Sequence, residues 1–226
     1  METKIEVGEV KTLREQIATG IRSSIIDGRI SPGEKLTEED IAHQLRVSRT
    51  PVREAFFQLV SEGFVDVEPR RGVVVREISL RDAEETYELK GVLEGLAARL
   101  AVEHSTSDLV RKLEEVNDAL YLASEEQNAD VKALLEYNNE FHMAISEACH
   151  NKKVIQQITA LRRQTLRYNY VFLSTPSRLR QSADEHQAII NALAHRNADD
   201  VERLLKLHNE AALASLRSLM LKHNPQ

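Results

Sequence analysis

Roughly the last 145 residues of this chain carry an apolar period of three to four residues almost without interruption, and that period limits the open folds more than any other feature. Leu89, Leu93, Leu96 and Leu100 form one stripe, and Leu109, Leu113, Val116 and Leu120 form another. Leu134, Ile145, Ile189, Ile190, Leu193, Val201, Leu204 and Leu205 continue the pattern. The segment reads as six helices, at about 79–103, 107–126, 130–149, 151–173, 178–195 and 198–222. The whole chain has only eight glycines and five prolines, too few for a turn-rich β architecture. A helical bundle of this length is large enough to bury a core of its own.

Ahead of residue 79 the pattern changes. A first helix is predicted from about Lys11 to Asp27, with Leu13, Ile17, Ile21 and Ile25 on one face and Gly28 as its stop. Ser31-Pro32-Gly33 makes a turn. Thr37 with Asp40 resembles a capping box in which Asp replaces the usual Glu, and it opens a short second helix that turns Ile41 and Leu45 inward. Ser48 is placed to cap a third helix over about Arg49–Glu62, apolar through Phe56, Leu59 and Val60. Phe64–Glu68 alternates apolar and polar, Gly72–Arg76 is β-branched, and Pro69-Arg70-Arg71-Gly72 joins them as a hairpin turn. The expected fold is therefore mainly α: a winged helix-turn-helix over residues 1–78, three helices plus a β-hairpin, followed by an all-α bundle of six helices or more over 79–226.

Two short helices joined by a tight turn set the second into the major groove of DNA, N-terminal residues leading. Ser48, Arg49, Thr50 and Arg53 occupy that leading end. Hydroxyls and exposed amides there hold phosphates, and Arg49 can donate two bonds to O6 and N7 of a guanine. Arg70 and Arg71 sit at the tip of the wing, and Gly72 lets the backbone come close. Between residues 46 and 76, six arginines face four acids, whereas the chain as a whole has a formal net charge of -6. Nucleic acid would therefore be met by a local basic patch and not by bulk charge. A solvated helix face with a few arginines is the bland alternative, and it does not account for three helices followed by a wing. This region, above all SRTPVREA, resembles the GntR family of bacterial transcription factors, and the resemblance extends over nearly the whole chain. It implies that Arg49, Thr50 and Arg53, with Gly72 at the wing, contact a double-stranded, pseudo-palindromic operator as a homodimer. Arg46 departs from the family, which often has glycine there.

Of the eight histidines, three lie on apolar stripes of separate helices: His142, His186 and His208. Asn138 precedes His142 by one helical turn, so the two project to the same spot. Imidazoles converging in a bundle core are costly without partners. A divalent transition metal is one natural partner; a separate backbone carbonyl for each ring is the other. ELKGVLEGLAARLA, NNEFHMAISEACHN, DEHQAIINAL and the histidine of LLKLHNEA resemble the FCD-type ligand-binding domain of the FadR subfamily. That resemblance implies a metal held by Asn138, His142, His186 and His208, with Asn138 standing where many members have aspartate. Zinc is the default for three imidazoles, with nickel, manganese and iron as alternatives. It also implies a small organic acid as effector, its carboxylate paired with a cation. Lys90 stands where the family often has arginine and keeps the charge without the bidentate fork. Arg162, Arg163 and Arg167 are the other candidate effector-binding residues.

Other classes fare worse. Cys149 is the only cysteine, which rules out an internal disulfide and fits a reducing cytoplasm. No stretch approaches the roughly 18 apolar residues of a membrane span, and the acidic N-terminus has no signal-peptide core. An enzyme is not expected. No nucleophile motif or phosphate loop occurs, and Glu185, next to His186 and so about 100° round the helix from it, should face away from a metal. An effector-free architectural DNA-binding protein is the remaining alternative. The short Glu77-Ile78-Ser79-Leu80 segment, free of Pro and Gly, is the expected point of transmission between sensor and reader.

Overall fold

The computed structural model describes residues 12–77, 79–126, 130–173 and 176–223. The chain divides into two compact units, Met1–Glu77 and Ile78–Gln226. In the first, α1 (Leu13–Ile26) opens on a complete capping box: Thr12 Oγ1 accepts from the Glu15 N–H, and the Glu15 carboxylate accepts from the Thr12 N–H at 2.8 Å. Ile17, Ala18 and Ile21 turn its buried face onto the third helix. Arg22 reinforces that contact by donating to the buried Glu62 carboxylate at 2.6 and 2.9 Å.

After the strand β1 (Lys35–Leu36), the helix α2 (Glu38–Leu45) is capped by Thr37. Thr37 Oγ1 accepts from the Asp40 N–H at 3.1 Å, as expected. The return bond differs: the Asp40 carboxylate takes the Thr37 hydroxyl at 2.5 Å, because its side chain is one methylene shorter than that of Glu. Leu45 is exposed and not inward-facing; the helix ends there, and Ala42 supplies its buried contact instead. Arg46 closes α2 in the left-handed region at φ 56 and ψ 43, so that the Val47 N–H reaches the Ala42 carbonyl at 3.0 Å. The turn therefore keeps the geometry that glycine favours, with an arginine in it. Then α3 (Arg49–Ser61) buries Val52, Ala55, Phe56 and Leu59.

The strands β2 (Val65–Glu68) and β3 (Gly72–Val75) form the expected hairpin, from Val65 opposite Val75 to Glu68 opposite Gly72. Gly72 has φ 88, the conformation the tight wing turn requires. The strand β1 adds to the far side of β3, giving the order β1-β3-β2. A two-residue strand carries no periodicity, so it left no trace in the sequence pattern.

In the second unit, α4 (Leu80–Ala101) runs into a single 3-10 turn (Val102–His104). The remaining helices are α5 (Ser107–Ser124), α6 (Val131–Ala148), α7 (Lys152–Leu173), α8 (Pro176–Ala194) and α9 (Ala198–His223). Helix α4 packs against α6, α7 and α9, while α5 packs against α6 and α8. Only half of the expected leucine stripe of α4 packs inward: Leu93 and Leu100 lie partly buried against Ala97, Val154 and Ile158, whereas Leu89 and Leu96 are exposed and Ala83, Gly91, Gly95, Ala98 and Ala101 are among the buried positions. Small residues are needed because α9 comes so close. A Cβ on Gly95 would lie 3.3 Å from the Glu202 carbonyl oxygen and one on Gly91 3.5 Å from Asn209 Cβ.

The left-handed Arg46 costs about 1 kcal/mol that glycine would not. Arg46→Gly is therefore expected to stabilise the protein by up to about 1 kcal/mol, less the entropy glycine loses on folding. Urea unfolding checks this; a destabilised variant would mean that the arginine side chain holds the turn.

Candidate metal centre and nucleic-acid interface

Three helices deliver one imidazole each to a common point. His142 comes from α6, His186 from α8 and His208 from α9, all three are buried, and one nitrogen of each lies within 4.8 Å of the others. Ring centroids are 4.9 to 5.1 Å apart. Phe141 stacks flat on the His186 ring at 3.8 Å and fixes its plane.

Outer partners set the ring protons. Asn117 donates its amide to the Ala183 carbonyl at 3.0 Å, which leaves Asn117 Oδ1 to accept from His186 Nδ1 at 3.2 Å. His186 Nε2 then keeps its lone pair and has no hydrogen-bond partner. His208 Nδ1–H donates to Glu185 Oε2 at 2.6 Å, which leaves Nε2 with its lone pair. His142 Nδ1 is buried without a hydrogen bond, 3.4 Å from Glu94 Oε2. Burial pushes the pKa of all three rings down, well down for His142 and His186, and the Glu185 carboxylate only partly offsets this at His208. Buried, neutral imidazoles with unpartnered nitrogens fit a transition metal. Asn138 is half-buried on α6 one turn before His142, and its backbone carbonyl accepts from Arg162 at 3.4 Å.

Beside the histidines lies a buried charge network centred on Glu94. Its Oε1 accepts from Arg162 Nη1 at 2.8 Å; its Oε2 accepts from Asn209 Nδ2 at 3.0 Å and lies 3.5 Å from Lys90 Nζ. Lys90 donates to Asn209 Oδ1 at 2.7 Å. Burial opposes the Glu94 charge, but the neighbouring cations Lys90 and Arg162 outweigh it and hold the carboxyl well below its usual range. Burial lowers Lys90 to about 8, with Glu94 opposing, so it remains mostly charged at neutral pH.

In the first unit, Ser48, Arg49, Thr50 and Arg53 are all exposed at the start of α3, and Arg70, Arg71 and Gly72 are exposed at the wing. Ser48 occupies the N-cap position but its side chain makes no capping bond. Two of the arginines are tied down from α2: Arg53 donates to both oxygens of Glu38 at 2.7 Å, and Arg49 lies 3.1 Å from Glu39. Arg71 pairs with Glu68 across the wing turn at 2.7 Å.

The profile of bacterial regulatory proteins of the gntR family matches residues 13–75, and that of the FCD domain matches residues 85–211, more than half of the chain. The chain belongs to the GntR family, with an FCD domain. This GntR–FCD regulator is 26% identical over 219 residues to the HTH-type transcriptional repressor RspR of Escherichia coli (strain K12), covering 97% of this chain and 95% of RspR. It is 28% identical over 179 residues to the Nta operon transcriptional regulator of Aminobacter aminovorans, covering 78% of this chain and 81% of that one. Among solved structures its fold is similar to that of E. coli McbR/YncC, with a TM-score of 0.76 at 24% identity over 95% of this chain and 100% of that chain. A putative GntR regulator from Rhodococcus sp. RHA1 superposes with a TM-score of 0.68 at 28% identity, covering 91% of this chain and 97% of that chain. No helix among the described residues is long and apolar enough to cross a membrane.

In the GntR–FCD regulator the predicted cations do not form one group. Lys90 and Arg162 are buried in the Glu94 network, whereas Arg163 is exposed one position further round α7. The Arg167 side chain, like Ile78 of the joining segment, lies outside the described residues. Sequence reasoning missed Asn117, Asn209 and Arg178, buried polar residues with only their helical phase to announce them. It also missed the role of Glu185, which lies round the helix from its neighbour His186 and bonds the outer nitrogen of His208 on α9.

For each lowered histidine the unfolded chain, with an ordinary value near 6.5, binds more protons than the folded one just below that pH. The contribution to stability is therefore complete above about pH 6.5 and lost as the pH falls. Metal-stripped protein is expected to unfold at lower urea near pH 5.5 than near pH 7.5, a difference that His186→Phe reduces; equal midpoints would show that the rings protonate without penalty.

Proposed function

We propose that this protein is a transcriptional repressor in which residues 1–78 read a pseudo-palindromic operator as a homodimer and residues 79–226 sense a small organic acid. The observation that carries the sensor reading is the convergence of three buried imidazoles, two of them with an unpartnered nitrogen, set beside buried cations. His142, His186 and His208, with the Asn138 amide oxygen as a neutral fourth ligand, would hold a divalent transition metal, zinc by default and otherwise nickel, manganese or iron. Bound there, the metal would supply a Lewis acid able to polarise or bind a carboxylate oxygen. Glu185 and Asn117 orient the rings and keep them in the coordinating tautomer. Lys90 is the retained buried cation of α4, and Arg162 holds Glu94 in place.

The reading face is supported by the exposed start of α3 and the wing. Arg49 is the base-reading residue, Arg53 its neighbour one turn on, Ser48 and Thr50 phosphate contacts, and Arg70, Arg71 and Gly72 wing contacts. Leu89, Val92 and Leu96 form an exposed apolar stripe along α4, which supports self-association through that helix. The effector acts by binding one arrangement of the dimer better than the other. RspR is named a transcriptional repressor, which is the ground for preferring repression.

Elemental analysis of tag-free protein tests the sensor: near-stoichiometric metal is expected, and its loss in His142→Ala and His208→Ala. No metal after zinc or nickel is added back would remove the metal from the reading. For the reader, Arg49→Ala should cost about 1–3 kcal/mol on an operator selected from random oligonucleotides and relax its base preference. A loss uniform over all sequences would make Arg49 a phosphate contact. Glu39→Gln frees Arg49 and should tighten binding, by no more than about 1 kcal/mol because the pair is exposed; weaker binding would mean that Glu39 positions the guanidinium.

A further inference from the structure

Among the described residues of the second unit, three fully buried side-chain polar atoms have no hydrogen-bond partner: His142 Nδ1, His186 Nε2 and Arg178 Nη1. A metal suits the imidazoles. It does nothing for Arg178, because a guanidinium has only N–H donors and shares the metal's sign of charge. Arg178 lies near the start of α8 with its side chain only 8% exposed. Its Nη2 donates to Glu185 Oε2 at 3.2 Å, the oxygen that also accepts from His208, and Gln181 donates to the other Glu185 oxygen at 2.9 Å. Glu185 is thus fully engaged, and so is Glu94, which Arg162 and Asn209 occupy with Lys90 close by. Three cations, Lys90, Arg162 and Arg178, stand against two carboxylates in this cluster, and a bound metal would widen the excess. A buried charge with an unused donor is kept only at a cost, unless a partner arrives with a ligand.

Resting on the sensor reading above, we infer that Arg178 is the effector anchor: its Nη1 donates to an oxygen of a carboxylate ligand bound against the histidine cluster. The ligand class is an organic acid whose anionic group reaches α8. Arg178 takes the role that sequence reasoning gave to the arginines of α7, since Arg162 is committed to Glu94 and Arg163 is exposed. Through their shared Glu185, a ligand on Arg178 also bears on the orientation of His208.

The test is thermal unfolding of the full chain, zinc-loaded and metal-stripped, in potassium acetate, succinate or citrate against potassium chloride of equal ionic strength. The variants are Arg178→Gln, Arg178→Lys and Arg163→Gln. Wild type and Arg163→Gln should rise by several degrees in at least one carboxylate. Arg178→Gln should lose that rise while melting no lower than wild type in chloride, because the excess of buried cations over carboxylates has gone. Arg178→Lys should keep part of the rise. If Arg178→Gln melts several degrees lower in chloride and still responds to carboxylate, Arg178 is structural and the inference fails. An equal response of wild type and Arg178→Gln leaves the carboxylate sensor standing and removes Arg178 from it. No response of any variant to any of the three acids would overturn the sensor reading and this inference together.

Discussion

Glu94 draws groups from four helices onto one buried carboxylate: Lys90 from its own α4, His142 from α6, Arg162 from α7 and Asn209 from α9. A carboxylate removed from water is tolerated only when its oxygens are engaged and its charge is met. The arrangement of the bundle around α4 must satisfy that demand, and the candidate metal centre is built on the same demand, since His142 stands at its edge. The small residues of α4 make it feasible. Gly91 and Gly95 let α9 approach until Asn209 can bond both Lys90 and Glu94, and the same approach brings in His208, the residue before Asn209.

The two halves of the protein handle charge in opposite ways. On α3 the arginines are exposed and held by exposed acids of α2, interactions that salt screens and that a phosphate can displace at small cost. In the FCD domain the charges around the histidines, Lys90, Glu94, Arg162 and Arg178, are buried and little screened. That contrast suits the function proposed above, a reader that binds and releases a polyanion and a sensor domain that selects one small anion.

The helices of both units were legible because their apolar period and caps are local, as in the Thr12–Glu15 box and the Thr37–Asp40 pair. Errors arose where a residue's environment was set by another segment. Leucines at 89 and 96 look like core in a list of periodic positions, yet they are exposed, and where α9 approaches α4 most closely the buried positions are Gly91 and Gly95. Glu185 was judged by its angle to His186 on the same helix, whereas its partner sits on α9.

By itself the sequence determined the order of the helices and the hairpin, the short helix-turn-helix with its arginines leading, and three histidines on inward stripes of three different helices, because each of these follows from spacing along one chain. Only the tertiary structure decided that the three imidazoles meet within 4.8 Å, that Lys90 and Arg162 serve a buried glutamate, and that Arg178 is left with a donor unused. Those outcomes depend on how closely and in what phase the helices cross. Crossing is set by packing between side chains far apart in sequence, which no local period encodes.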